Sequence, residues 1–378
     1  MGPLGTESLP LCSLVGRTFA QNLVCPFDVP HFDNSQVDGY AVRTSDRGPR
    51  HVVGAAAAGG PTPPPVGRGE AVRIFTGAPI PEGADAVVMQ EDARREGAVV
   101  WLDPASCLGE NVRRKGEETT VGTRFDVRGR VATPPLVGLA ASFGLTQVEA
   151  FRCPRVVVVG TGSELVPPGE PLGLGQVYAS NLEAIAAALR TMGIDEVETR
   201  LVGDEPDLTD VVLDRALDDT DVLITVGGVS VGEHDLVRPT LASLGVEERL
   251  WRVAMKPGKP FYFGTMGEKP VFGLPGNPVS ALVTFLTLVR PALRAMLGMS
   301  DVEEKTTVRL GAAIRRKDLR YEFVRATLTG GVATPVSAQG SHMQTGLAFA
   351  DALIHVPDRV SSLDEGEEVT VTPLRWGV

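Results

Sequence analysis

The most constraining stretch of this chain runs from Asp221 to Pro239 and reads DVLITVGGVSVGEHDLVRP. Asp221 to Val226 is short, apolar and β-branched, the pattern of a buried strand. Gly227 and Gly228 then break the strand and let the backbone turn close to a ligand, because no Cβ intervenes. Ser230 adds a hydroxyl, Gly232 a second pivot, and Asp235 falls where the next helix should begin. Such a loop can hold a phosphate through backbone N–H groups, and the acid can hold the divalent ion that phosphates attract. Strand–glycine–helix turns are also common in α/β proteins that bind no phosphate. No Gly-Lys-Ser/Thr follows, so this is not a Walker A loop. Its company in the rest of the chain decides between these readings.

From Arg155 onward strands and helices alternate. Val156 to Val159 reads as a strand ending in Gly160-Thr161-Gly162-Ser163-Glu164. Ser180-Asn181-Leu182-Glu183 has capping-box spacing and predicts a helix that buries Leu182, Ile185, Ala186 and Leu189 and ends at Gly193. Val197 to Val202 is another strand, followed by Gly203-Asp204-Glu205-Pro206 and a helix from about Asp207. This series predicts a parallel sheet covered on both faces, with ligands at the carboxyl ends of the strands. Glu164, Asp204 and Asp235 each follow a strand at that end, and Gly227, Gly228 and Ser230 share the rim. Three acids beside a phosphate-type loop suggest a magnesium site. Taken singly, each is more simply a helix-cap acid.

Met255-Lys256-Pro257-Gly258-Lys259-Pro260 reads as a stiff turn that can aim Lys256 and Lys259 one way, as point charges for a compact oxyanion. In Leu274-Pro275-Gly276-Asn277-Pro278-Val279-Ser280, Asn277 is a plausible N-cap and Pro278 a first-turn proline; with Ser280 the helix start is an anion site. After Met299 the pattern turns to β, with strands at Thr307 to Ile314, Phe323 to Leu328 and Val369 to Pro373 and a loop at Gln339 to Met343. A small C-terminal barrel or sandwich is expected. Upstream, Leu11 to about Leu23 has a helical pattern that Cys25-Pro26 ends, and Asp33, Asn34 and Asp38-Gly39 are turn chemistry. Residues Arg50 to Val127 read as a small all-β domain, with strands at Ala71 to Phe75, Ala86 to Gln90 and Ala98 to Leu102. Thr76 opens the turn-rich joint between the first two, and the basic loop Asn111 to Glu117 is most simply a solvated surface run. Pro134 to Gly144 looks helical.

Composition removes several classes of function. The net charge of −11 argues against general nucleic-acid binding, and it requires that any anionic ligand be held by local groups. The apolar run Ala281 to Val289 stops at Arg290, far short of a membrane span, and no basic region with an apolar core marks a signal peptide. The 4 cysteines are scattered and the 5 histidines form no metal-ligand pattern, which suits a reducing compartment.

Read together, these motifs resemble the molybdopterin molybdenumtransferases, the prokaryotic relatives of the E domain of gephyrin. The resemblance runs from about Leu11 to the end. It rests on Asp33-Asn34-Ser35 with Asp38-Gly39-Tyr40-Ala41, Ile74 to Ala78, Gln90-Glu91-Asp92, Asn111 to Glu117, Gly227 to Gly232, Lys256 to Pro260, Gly273 to Ser280 and Gly340 to Met343. Each is weak alone; their order together is specific. Gln36-Val37, Ala179 and Asp351 depart from the usual family residues.

The resemblance implies a multidomain elongated subunit of class α/β plus β. A discontinuous N-terminal domain (1–35 and 128–152) would carry an inserted β domain (36–127). A central three-layer α/β/α molybdopterin-binding domain (153–298) and a C-terminal β-barrel-like domain (299–378) would follow. It implies a cytoplasmic homodimer that takes adenylyl-molybdopterin and molybdate, inserts molybdenum and releases AMP with Mg2+ support. Other proteins of cofactor biosynthesis are expected as partners; nucleic acid and membrane are not. Glu164, Asp204 and Asp235 would hold the metal, and Gly227, Gly228 and Ser230 the phosphate or pterin. Lys256, Lys259, Ser280, Ser341 and Arg320 would hold molybdate, with Pro275 and Asn277 beside them. Asp38 and Thr76 would complete the cleft from the partner subunit. Two alternatives are an adenylyltransferase acting on molybdopterin and a non-catalytic scaffold. The flanking β domains and the Lys-Pro-Gly-Lys-Pro segment speak against the first, and the retained acids and lysines against the second.

Overall fold

A computed structural model describes residues 1–102, 107–229, 236–300, 305–374 and 376. The chain forms two compact units: Asn22–Val127 with Leu139–Gly144, and Met1–Gln21 with Arg128–Gly138 and Leu145–Val378.

The first unit is built on a six-stranded sheet. Its strands, in spatial order, are Ala86–Met89, Gly39–Val42, Glu70–Ile74, Arg50–Ala56, Val99–Leu102 and Ala93–Glu96. Side chains alternate between faces. Ala41, Val72, Ile74 and Val87 pack on one side, and Tyr40, Val42, Ala71 and Val88 on the other. Asp38-Gly39, read from sequence as a turn, instead leads into a strand. Gly39 is needed there for close approach, since a Cβ would strike the carbonyl of Val88.

The second unit holds the central sheet. Its order is Val197–Val202, Val156–Thr161, Val222–Val226, Lys269–Leu274, Tyr262–Met266 and Glu247–Trp251. The first four are parallel and the last two antiparallel, so the expected parallel sheet is in fact mixed. Tyr262–Met266 turns straight into Lys269–Leu274 through Gly267 and Glu268, a tight connection that antiparallel pairs permit and parallel pairs do not. Val156, Val158, Ile224 and Leu274 face the helices Ser180–Arg190 and Pro278–Thr284. Val157, Val159, Leu223 and Val271 face Pro206–Asp218 and Val237–Ser243. Helices thus cover both faces. One continuous helix, Pro278–Met296, is long and apolar enough to cross a membrane, but 61% of its apolar window is buried inside the protein.

After this sheet the chain forms a closed barrel. Tyr321–Thr329 pairs with Val332–Pro335 and Ala352–Val356, and Glu368–Pro373 pairs with Ala352–Val356 and Thr306–Leu310. Thr306–Leu310 meets Val332–Pro335 and completes the ring around Leu310, Val324, Ala333, Ile354 and Val371. The single strand expected at Thr307 to Ile314 is broken at Gly311, with Ile314–Arg315 pairing elsewhere.

Two local expectations fail. The helical pattern at Leu11 to Leu23 forms only a 3-10 turn at Leu11–Ser13. Beyond it, Thr18 and Phe19 bridge to Val131 and Ala150, and Gly16 N–H donates to the Ala132 carbonyl. Long-range backbone pairing overrides a weak local propensity. Ser180 is the first helical residue rather than the cap, and Ala179 in the cap position makes no side-chain bond.

Candidate active site

The carboxyl ends of the four parallel strands open into a cavity of about 310 Å³. Glu164, Asp204, Gly227, Gly228 and Pro275 line it, so five residues singled out from sequence share one site. Gly227 and Gly228 have φ of 94° and 62°. A Cβ on Gly228 would collide with Val237 and lie 2.8 Å from Thr161 Oγ1. The Gly227 N–H donates to the Leu274 carbonyl (3.0 Å), which ties the loop to the next strand. Across the rim, Ser163 N–H donates to Asp204 Oδ2 (3.0 Å) and Asp204 N–H donates to Ser163 Oγ (2.9 Å). This exchange fixes Asp204 at the strand end. Asn277 takes the cap position before Pro278, but without the expected side-chain bond. Ser230 and Asp235 lie outside the described residues.

Among the wall residues that sequence reasoning did not assign to the site are Thr161, Tyr178 and Asn181, each with a polar side chain. Thr161 stood inside the Gly160–Glu164 motif, and its buried hydroxyl has no hydrogen-bond partner among the described residues. Asn181 Nδ2 donates to the Gly276 carbonyl (2.7 Å), a contact across 95 residues that no local pattern encodes.

Pro260, next to Lys259, also lines the cavity, and from there the chain leads to a cluster of cations. Met255–Lys256 is not a turn but a strand, paired parallel with Tyr321 and Glu322 of the barrel. Lys256 Nζ lies 2.8 Å from Glu322 Oε1, and Arg316 Nη1 lies 3.6 Å from Glu322 Oε2. Arg320 pairs with Asp318 and donates to the Met255 carbonyl (3.1 Å). The Arg320 guanidinium holds the Asp318 carboxyl far below the usual carboxylate range. Lys259 is exposed and has no side-chain partner among the described residues. The two lysines therefore differ: one is counter-charged, the other open. Ser341 reaches the same neighbourhood through its carbonyl, which accepts from Val279 N–H (3.1 Å) in the helical turn that holds Ser280.

In the other unit, Asp38 and Thr76 are bonded to each other. Thr76 donates both its N–H (2.8 Å) and its hydroxyl (2.9 Å) to Asp38 Oδ1. These bonds, with Arg73 nearby, lower the Asp38 pKa. Arg73 donates to the Gly39 carbonyl and lies over the Tyr40 and Phe75 rings at 5.2 and 4.8 Å. The basic loop is not simply solvated: Arg114 pairs with Asp33 at 2.7 Å, and Lys115 N–H donates to the same carboxylate.

The rim suits a hard divalent cation. Mg2+ is typically held by one or two carboxylates together with substrate phosphates, and Glu164 and Asp204 supply two oxygen donors beside the glycine loop. Among the described residues no three His, Cys, Asp or Glu side chains form a metal cage.

Three family models cover most of the chain. The MoeA N-terminal region (domain I and II) matches residues 1–144, the probable molybdopterin binding domain residues 157–295, and the MoeA C-terminal region (domain IV) residues 307–374. A molybdopterin molybdenumtransferase of Haemophilus influenzae is 36% identical over 98% of this chain and 94% of its own. Molybdopterin molybdenumtransferase 2 of Mycobacterium tuberculosis is 36% identical over 97% and 95%. A solved molybdopterin biosynthesis MoeA protein from Pyrococcus horikoshii superposes with a TM-score of 0.85 at 34% identity, covering 99% of this chain and 95% of that one. With cavity, cation cluster and barrel in the order the motifs implied, this chain belongs to the MoeA family of molybdopterin molybdenumtransferases, enzymes of molybdenum cofactor biosynthesis.

Proposed function

We propose that the chain inserts molybdenum from molybdate into adenylyl-molybdopterin and releases AMP. The supporting observation is the continuity of two sites of different chemistry. A glycine-lined cavity suits a phosphate and pterin, and a cation cluster suits a tetrahedral oxyanion. Both are built on the segments that contain Lys259-Pro260 and Pro275 to Ser280. In this reading Gly227, Gly228 and Ser230 cradle the phosphate, and Lys256, Lys259, Ser280, Ser341 and Arg320 receive molybdate. Pro275 and Asn277 shape the wall between them. Glu164, Asp204 and Asp235 would hold Mg2+, which when bound supplies charge neutralisation at the phosphates. No residue is assigned as general base.

The test is AMP release from purified adenylyl-molybdopterin, with and without molybdate and Mg2+. Release that needs both, with metal recovered on the pterin, is expected. Substrate that binds yet stays intact under every condition would overturn the reading. We place the reaction in the cytoplasm, where the four free thiols would stay reduced. We also propose a homodimer in which Asp38 and Thr76 serve the partner's site, within the four-domain division given above. Mixing D38A with K256A protein, each strongly impaired alone, should then raise activity above that of either; a mixture no more active than its parts refutes the shared site.

A further inference from the structure

Arg325 stands in the middle of Tyr321–Thr329 and is 1% exposed, the bulkiest of the fully buried side chains among the described residues. A guanidinium removed from water is costly and ordinarily faces a carboxylate. Arg325 makes no ion pair among the described residues. It spends its donors on one loop instead. Its Nε donates to Gln339 Oε1 (3.2 Å) and its Nη1 to the Gly340 carbonyl (3.1 Å). Gln339 answers with Nε2, which donates to the carbonyls of Arg325 (2.7 Å) and Val336 (2.9 Å). The next residue along is Ser341, whose carbonyl receives the Val279 N–H. Two hydrogen bonds, joined through the Gly340–Ser341 peptide link, therefore connect the barrel strand to the helical turn that carries Ser280.

An apolar side chain would fill this space at lower cost. What it could not do is hold two consecutive loop residues from fixed donor directions, the particular property of the planar guanidinium. Lysine offers the charge without the fork. The loop needs such a clamp because it has no strand pairing of its own from Gln339 to Met343.

We propose that Arg325 is a positioning residue for the oxyanion subsite: it clamps Gln339 and Gly340 and so sets Ser341 against the start of the Pro278–Thr284 helix. This rests on the reading above that Ser341 belongs to the molybdate site.

The experiment uses the full chain and molybdate-dependent AMP release at saturating adenylyl-molybdopterin and Mg2+. R325K and R325M should each raise the KM for molybdate about tenfold while kcat changes less than about threefold, the size expected when one hydrogen-bonded position is lost. R325K keeps charge and most of the volume, so it serves if R325M folds poorly; thermal melting separates the two causes. In an S341A background R325K should add less than about twofold, because both changes remove the same contact. Guanidinium ion added to R325A should recover part of the lost affinity. Lowered stability with an unchanged KM in R325K assigns Arg325 to the core alone and overturns the proposal. Additive losses in the double variant overturn it too, since Arg325 would not be acting through Ser341. An unchanged KM in S341A alone refutes the role of Ser341, and this proposal with it, while leaving molybdate-dependent AMP release in the parent protein as evidence for the wider function.

Discussion

The cavity at the edge of the central sheet and the cation cluster at the edge of the barrel are adjacent in sequence but built on opposite principles. The cavity is made of backbone. Its wall holds glycines in left-handed conformations, a Thr161 hydroxyl without a hydrogen-bond partner among the described residues, and two acids at the rim. The cluster is made of charge, and nearly every cation there has a fixed counterpart: Lys256 with Glu322, Arg320 with Asp318, Arg316 with Glu322. Glycine backbone carries no net charge and no side chain, so a wall made of it can stand open to solvent. Cations gathered at a partly buried edge repel one another and must bring carboxylates with them. In a chain of net charge −11, only such a local concentration of cations can attract an oxyanion.

The comparison can be broken most sharply at Gly228. A valine there must clash with Val237 and Thr161 and adopt a left-handed backbone. G228V should weaken binding of adenylyl-molybdopterin by about a hundredfold or more, the sum of strain and overpacking. Equilibrium binding with a melting curve beside it checks this, and near-normal affinity would show that the loop is no cradle. The complementary change is K256A. It should lower kcat/KM for molybdate about a hundredfold, the scale of removing one preorganised group that meets developing charge. Binding of adenylyl-molybdopterin should be spared. If both variants lose the pterin substrate equally, the two sites are one, and the division drawn here is wrong.

The smallest effect is a control on the barrel itself. His355 is buried, and its ring nitrogens meet the hydroxyls of Tyr321 (2.8 Å) and Thr372 (2.7 Å). Burial pushes its pKa down to about 4. The unfolded chain takes up this proton near pH 6.5, where the folded one does not. The stabilisation is therefore complete above about pH 6.5 and is lost as pH falls towards 4, at roughly 1.4 kcal/mol per pH unit at most. H355Q should flatten the fall of the melting temperature between pH 6.5 and 4. An equally steep fall in H355Q would place the sensitivity in other groups.

Much of this was legible in the chain itself. The run Asp221 to Gly228 specified a strand that stops at a glycine loop, because β-branching and the lack of a Cβ act within a few residues. The same holds for Pro278 opening a helix and for the alternating faces of Val156 to Val159. Asp38 and Thr76, assigned to one site from separate motifs, do share a hydrogen bond.

What failed was whatever depended on distant partners. Leu11 to Leu23 has a helical pattern, yet pairs with residues beyond position 127 and near 150. Lys256 reads as part of a proline–glycine turn, yet is recruited as an edge strand of a barrel that begins about 50 residues later. Arg325 has no local signature, because a strand arginine reads as an exposed one until the fold closes over it. Sequence by itself determined the local grammar, the order of the domains' motifs and the chemical types available, since these follow from propensities and spacing. Only the tertiary structure decided which charges are paired and which stay open, because that depends on burial and on contacts between strands far apart in the chain.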